Sequence, residues 1–186
     1  MKTHFDIESI VKKGRITNEL DYDRALIADR KLRLLAKENT HFKTLRSQLR
    51  DIIEKYESAE WSDVYKIDDK KLIESEKAEH LAEQERLFIE NRKKAIRKKI
   101  KKLDLTQENL ATILGHKSKT HMSELMNGIK PFTLRDLIVI NRLFDIEIDL
   151  LVPRFLSKKD QTEIKEALEK LDKPEIKLSC DDFVLC

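Results

Sequence analysis

At 186 residues the chain can form one large domain or two small ones; 39% of it is Asp, Glu, Lys or Arg, while Gly and Pro number three each. So many helix formers and so few turn formers exclude a strand-and-hairpin architecture and predict an all-α fold. No apolar run approaches the roughly 20 residues that cross a bilayer, and MKTHFDIESIVKKG lacks an apolar signal core, so a cytoplasmic protein with no membrane partner is expected. The only cysteines, Cys180 and Cys186, lie near the end without metal-type spacing, which predicts no disulfide framework and suits a reducing compartment.

In chain order, Phe5, Ile7, Ile10 and Val11 predict a short first helix stopped by Gly14. Thr17 or Asn18 can cap the next, in which Tyr22, Leu26, Leu32 and Leu35 recur at helical spacing. Asn39-Thr40-His41 interrupts the pattern, and Phe42, Leu45, Leu49, Ile52 or Ile53, and Tyr56 then form a clear amphipathic stripe. Two antiparallel helices joined by a short polar turn follow from this. SAEWSDVYKIDD reads as a connector, with Trp61 and Tyr65 as a lid on that hairpin. Asp68 can cap a long helix reaching about Lys102, some 45–50 Å in length, with Leu72, Leu81, Phe88, Ala95, Ile96, Ile100 and Leu103 as its sparse apolar stripe. Its end, RKKAIRKKIKK from Arg92 to Lys102, holds no acid, which fits either an anionic partner such as nucleic acid or a plain basic surface.

Beyond it, Thr106 can cap a helix whose Leu110, Ala111 and Leu114 bury one face, and Gly115 ends that helix where a positive φ is needed. Ser118 can cap KTHMSELMN, with Met122, Leu125 and Met126 inward and Lys119, Thr120, Ser123 and Asn127 on a polar face; Gly128 stops it and Pro131 prevents its resumption. Thr133 can cap LRDLIVINRLF, and EIDLLVP predicts a last helix ended by Pro153. A short polar helix propped on another across a brief turn is the geometry that reaches base edges in a major groove. The expected organisation is an N-terminal helical hairpin (1–67), a long connecting helix (68–94), a five-helix helix-turn-helix domain (95–153) and a short C-terminal extension (154–186). In that extension Ser157 can cap a helix bearing Ile164, Leu168 and Leu171, and IKLSC alternates like a strand.

Thr106-Gln107, Ala111, Gly115 and Gly128 stand where the helix-turn-helix of the Cro/repressor (Xre) family has its landmarks, and the stretch resembles that family. GHKSKTHMSELMNGIKPFTL is similar to the form found in HigA-type antitoxins. ITNELDYDRALIADRKLR, with its Tyr-x-x-Ala-Leu, and LRSQLRDIIEKYE, with its closing Glu-Lys-Tyr-Glu, resemble the N-terminal helical segment of the same family. The resemblance implies an antitoxin of a type II toxin–antitoxin pair that binds a RelE-like messenger-RNA endonuclease, the HigB-type toxin, through its N-terminal segment and represses its own operon as a homodimer. The chain departs from the family in its longer, more helical linker, in the tail beyond Arg154, and in Ile129-Lys130-Pro131-Phe132, which stands where two basic residues are common.

On this reading Lys119, Thr120, His121 and Ser123 probe base edges of operator DNA, Asn127 shares their polar face, Ser118 and Gln107 position on phosphate, and Lys117 and Lys130 add attraction. Glu54, Glu57, Glu60, Asp63 and the acids from Glu74 to Glu85 offer charge to a basic toxin surface. The alternative is a stand-alone Xre-family transcriptional regulator whose N-terminal segment binds another protein. No enzyme, cofactor or metal site is expected: His4, His41, His80, His116 and His121 are scattered, and no HExxH pattern, phosphate loop or nucleophile motif occurs.

Overall fold

Short polar side chains begin each of the first seven helices, because the first backbone N–H groups of a helix have no partner within it. In the computed structural model, which describes residues 6–37, 39–63, 67–153, 158–171, 173 and 175–176, Asp6 caps α1 (Ile7–Lys13), Asn18 caps α2 (Glu19–Leu35) and Asn39 caps α3 (Thr40–Glu60). Asp68 caps α4 (Asp69–Lys102), Thr106 caps α5 (Gln107–Leu114), Ser118 caps α6 (Lys119–Asn127) and Thr133 caps α7 (Leu134–Phe144). α8 spans Lys158–Leu171. No strand occurs among the described residues; the expected cap Ser157 and the IKLSC stretch, from Lys177 onward, lie outside them, as do Phe5 and Tyr65.

α2 and α3 form the expected hairpin, and the residues that carried the N-terminal resemblance tie it together. The rings of Tyr22 and Tyr56 stack with centroids 5.1 Å apart. Tyr22 donates its hydroxyl to Glu57 at 2.7 Å, and Tyr56 donates to Glu19 at 2.9 Å. Burial, first, and then these carboxylates push both phenol pKa values upward. Ala25, fully buried, lets the helices approach where Ile10, Leu32, Phe42 and Leu49 fill the N-terminal core.

α4 is one unbroken helix of 34 residues, about 50 Å long at the usual rise. Its buried face keeps Ile96 and Ile100 of the expected stripe, with Leu81, Phe88 and Ala95 half-buried, and departs from it at both ends. Ala78, Ala82, Glu85, Ile89, Arg92, Ile96 and Ile100 turn inward, while Leu72 and Leu103 are exposed. Small side chains admit α2, and Arg24 of α2 grips Glu85 through two guanidinium nitrogens, Nη2 and Nε, with its Nε 2.7 Å from the carboxylate. The first half of α4 is thus covered by α2, and its second half supplies Ile96 and Ile100 to the C-terminal core.

That second core also contains Leu110, Leu114, Met122, Leu125, Met126, Leu137 and Ile140. α7 ends at Asp145, held at φ 49 in the left-handed region. The fifth expected helix is a single 3₁₀ turn, Ile148–Leu150, which sets Leu151 fully into the core. Pro153 follows too soon for the i to i+4 pattern to take hold.

Candidate nucleic-acid interface

Two reciprocal caps and two glycines set the geometry. Thr106 and Asn109 cap each other at the start of α5, and Gly115 ends it at φ 82, so that His116 N–H donates back to Ala111 O at 2.8 Å. The chain then turns to Ser118, whose hydroxyl accepts from His121 N–H at 3.2 Å and starts α6. Met122, Leu125 and Met126 anchor α6 on the domain core, and Gly128 closes it at φ 70.

The nine expected contact residues divide into two groups. Lys117, Ser118 and Lys119 are exposed, and Lys119 reaches Glu108 at 2.6 Å, so the first turns of α5 and α6, with Gln107 beside Glu108, meet at one edge. The others are engaged within the protein. Thr120 accepts from Asn39 Nδ2 at 2.8 Å. His121 lies 3.4 Å from Glu124 and packs its ring 4.9 Å from that of His116. Asn127 donates to Ser123, and accepts from Lys93 at its side chain (2.7 Å) and from Lys31 at its carbonyl (3.3 Å). Lys130 stands 2.8 Å from Glu8 and 2.9 Å from Glu124.

Glu124 is the residue that the sequence did not single out. It is 2% exposed and receives Lys130, His121 and, at 2.7 Å, His41 of α3. Burial alone raises the pKa of such a carboxyl, but the hydrogen bonds from Lys130 and His41 outweigh it and hold the group below its ordinary value. Lys130 is correspondingly raised: burial works against its charge, and Glu8 and Glu124 prevail. The signal was present as an acid at i+4 from Thr120 and i−3 from Asn127, on the same face of the helix as both and opposite Met122, Leu125 and Met126. Glu8, His41 and Glu124 could converge on a cation, but the Lys130 ammonium already lies against both carboxylates.

The basic stretch is also divided. Lys94, Arg97, Lys98, Lys101 and Lys102 are exposed on the side of α4 away from its buried face and pair with no carboxylate among the described residues. Lys93 and Lys99 are turned to Asn127 and to Asp145 O. Arg92 is 1% exposed, between the rings of Phe88 and Phe132, and donates to Leu151 O at 3.3 Å; burial pushes its pKa down to about 10.

His116 approaches Asp136 to 3.3 Å without hydrogen-bond alignment. Asp136 itself completes the reciprocal cap of α7 with Thr133. No described helix is long and apolar enough to cross a membrane. No curated protein and no solved structure matches the chain. One family does: its description is helix-turn-helix, and the match runs from residue 96 to residue 151. With α5 and α6 set across the Gly115 turn, residues 96–151 are a helix-turn-helix domain of the Cro/C1 type, the DNA-binding unit of transcriptional regulators.

Proposed function

We propose that the protein is the antitoxin of a type II pair, which neutralises a RelE/HigB-like messenger-RNA endonuclease and represses its own operon as a homodimer. The observation that carries this reading is the α2–α3 hairpin. The Tyr-x-x-Ala-Leu and Glu-Lys-Tyr-Glu residues that resemble HigA-type antitoxins are the ones whose crossed Tyr22–Glu57 and Tyr56–Glu19 bonds build it, in front of a helix-turn-helix domain. Toxin capture belongs to residues 1–67 on this reading, and operator binding to residues 95–153.

In the domain, Lys119, Thr120, His121 and Ser123 probe base edges, with Asn127 on the same face. Ser118 and Gln107 sit on phosphate, and Lys117 and Lys130 add charge. Two copies related by a two-fold axis would place two α6 helices on half-sites one turn of duplex apart.

The test has two arms on the full chain: co-purification with the product of the adjacent reading frame, and repression of a reporter behind the DNA preceding the coding sequence. Capture together with repression is expected. Repression without capture gives a stand-alone regulator and removes the antitoxin role. For the base-edge assignment, Lys119→Ala should lower the preference for the operator over random duplex by about tenfold; an unchanged ratio puts the reading face elsewhere.

A further inference from the structure

Thr120, Glu124 and Asn127 recur at i, i+4 and i+7 and so form one stripe on α6, almost directly opposite Met122, Leu125 and Met126. A helix anchored on its domain by the second set would present the first set to a groove. In this protein the first set is already occupied. Thr120 is bonded to Asn39 at the start of α3 and Glu124 to His41 of α3, while Lys31 of α2 donates to the backbone carbonyl of Asn127, whose side chain is held by Lys93 and Ser123.

The contact is made firm at the corner that departs from the family. Ile129 is 1% exposed and belongs to the N-terminal core with Ile7 and Ile10, rather than to the core of its own domain. Its carbonyl accepts the N–H of Ile7 at 3.2 Å. Lys130 beside it bridges Glu8 of α1 and Glu124 of α6. The corner where two basic residues are common in the resembling family therefore joins the N-terminal helices to the reading helix, through Ile129 and Lys130.

We infer that α1–α3 and DNA compete for the same face of α6, so that specific reading requires the N-terminal helices to leave it. This rests on the reading that α6 contacts bases. A duplex major groove wide enough for one helix has no room for α6 with the α2–α3 turn lying on its outer side. Apparent affinity is then the affinity of the open form scaled by the fraction open.

Ile7→Cys with Ile129→Cys, in a chain whose Cys180 and Cys186 are changed to Ser, places a thiol on each side of the contact without touching a proposed base-reading residue. The probe is a pool of randomised 30-base-pair duplexes, with enrichment measured for the oxidised and the reduced form of the one protein. Sequence enrichment by the reduced form and none by the disulfide-locked form is expected. Equal enrichment by both overturns the competition while leaving the reading of α6 intact, whereas no enrichment by either form or by the unaltered chain overturns the reading of α6 and the competition with it. The opposite perturbation, Glu8→Gln with His41→Ala, should tighten binding to an enriched duplex by about tenfold or more. Glu54→Gln, an equal change of charge on the exposed side of α3, should alter it by less than about twofold. An unchanged affinity in the double variant also overturns the competition.

Discussion

Gly115 and Gly128 end consecutive helices with nearly the same backbone, φ 82 and φ 70, and differ in what surrounds them. An alanine Cβ at Gly115 would meet nothing within 4 Å, whereas at Gly128 it would lie 2.8 Å from both Cδ1 and Cγ2 of Ile89 and 3.3 Å from its Cγ1. Both substitutions carry the left-handed cost of about 1–2 kcal/mol. Only Gly128→Ala must also displace a side chain seated at 9% exposure on α4, which adds about 1–3 kcal/mol of overpacking. Urea denaturation should therefore give a loss of about 1–2 kcal/mol for Gly115→Ala and of about 2–5 kcal/mol for Gly128→Ala. Ile89→Ala removes all three offending atoms, so the pair with Gly128→Ala should be less destabilised than the sum of the single changes by about 1–3 kcal/mol. Equal losses at the two glycines, or strict additivity in the cycle, would refute the claim that Ile89 fixes how closely α6 approaches α4.

The Asp23 carboxyl on α2 is pushed up to about 6 from an ordinary value of 3.8, by burial first and then by Glu79 and Glu19, and its Oδ2 has no hydrogen-bond partner. The folded chain thus binds more protons than the unfolded chain between those values, so its stability should rise as pH falls from about 7 to 4. Asp23→Asn should add about 1–2 kcal/mol at pH 7, after allowance for partial solvent screening, and flatten that slope; a variant that unfolds at the same urea concentration at pH 7 would contradict this. Lys94, Lys98 and Lys101 share the outward side of α4, and if they lie on phosphates, their joint change to Ala should lower the slope of log affinity against log salt by about 2–3. An unaltered slope, read by fluorescence anisotropy across a KCl series, would assign the stripe to plain solvation.

What the chain reveals before folding is what is local. Asn18, Asp68, Thr106, Ser118 and Thr133 are legible as caps because the bond each makes reaches only three residues along the chain, and Gly14, Gly115 and Gly128 are legible as stops because their bonds are equally local. The face of α4 is not local. Its true inward stripe includes Glu85 and Arg92, which look solvent-facing until Arg24 arrives from α2 and until the rings of Phe88 and Phe132 flank the guanidinium. Hydropathy spacing instead favoured Leu72 and Leu103, which end up exposed. The polar side of α6 was legible as a stripe, since spacing alone sets it. Its occupants were not, because Asn39, His41 and Lys31 come from 80 to 100 positions away.

The same distance explains the IKPF corner. Judged against the resemblance, Ile129-Lys130-Pro131-Phe132 keeps one basic residue where two are common. In the fold its two apolar side chains enter two different cores, Ile129 that of the N-terminal helices and Phe132 that of the C-terminal domain. Two residues three positions apart anchored in separate cores, with Lys130 between them paired to Glu8 and Glu124, make this corner the joint between the two halves of the chain. α4 spans the same joint from the other side, with Glu85 and Glu90 held by α2 and Ile96 and Ile100 by the domain core. A ligand that favours or disfavours the seated position of α1–α3 therefore acts on the face that DNA would use. By linkage, DNA must change the affinity for that ligand by the same factor. On the proposed competition, the chain in front of the helix-turn-helix domain is energetically coupled to it at the contact that Glu124, Ile129 and Lys130 make.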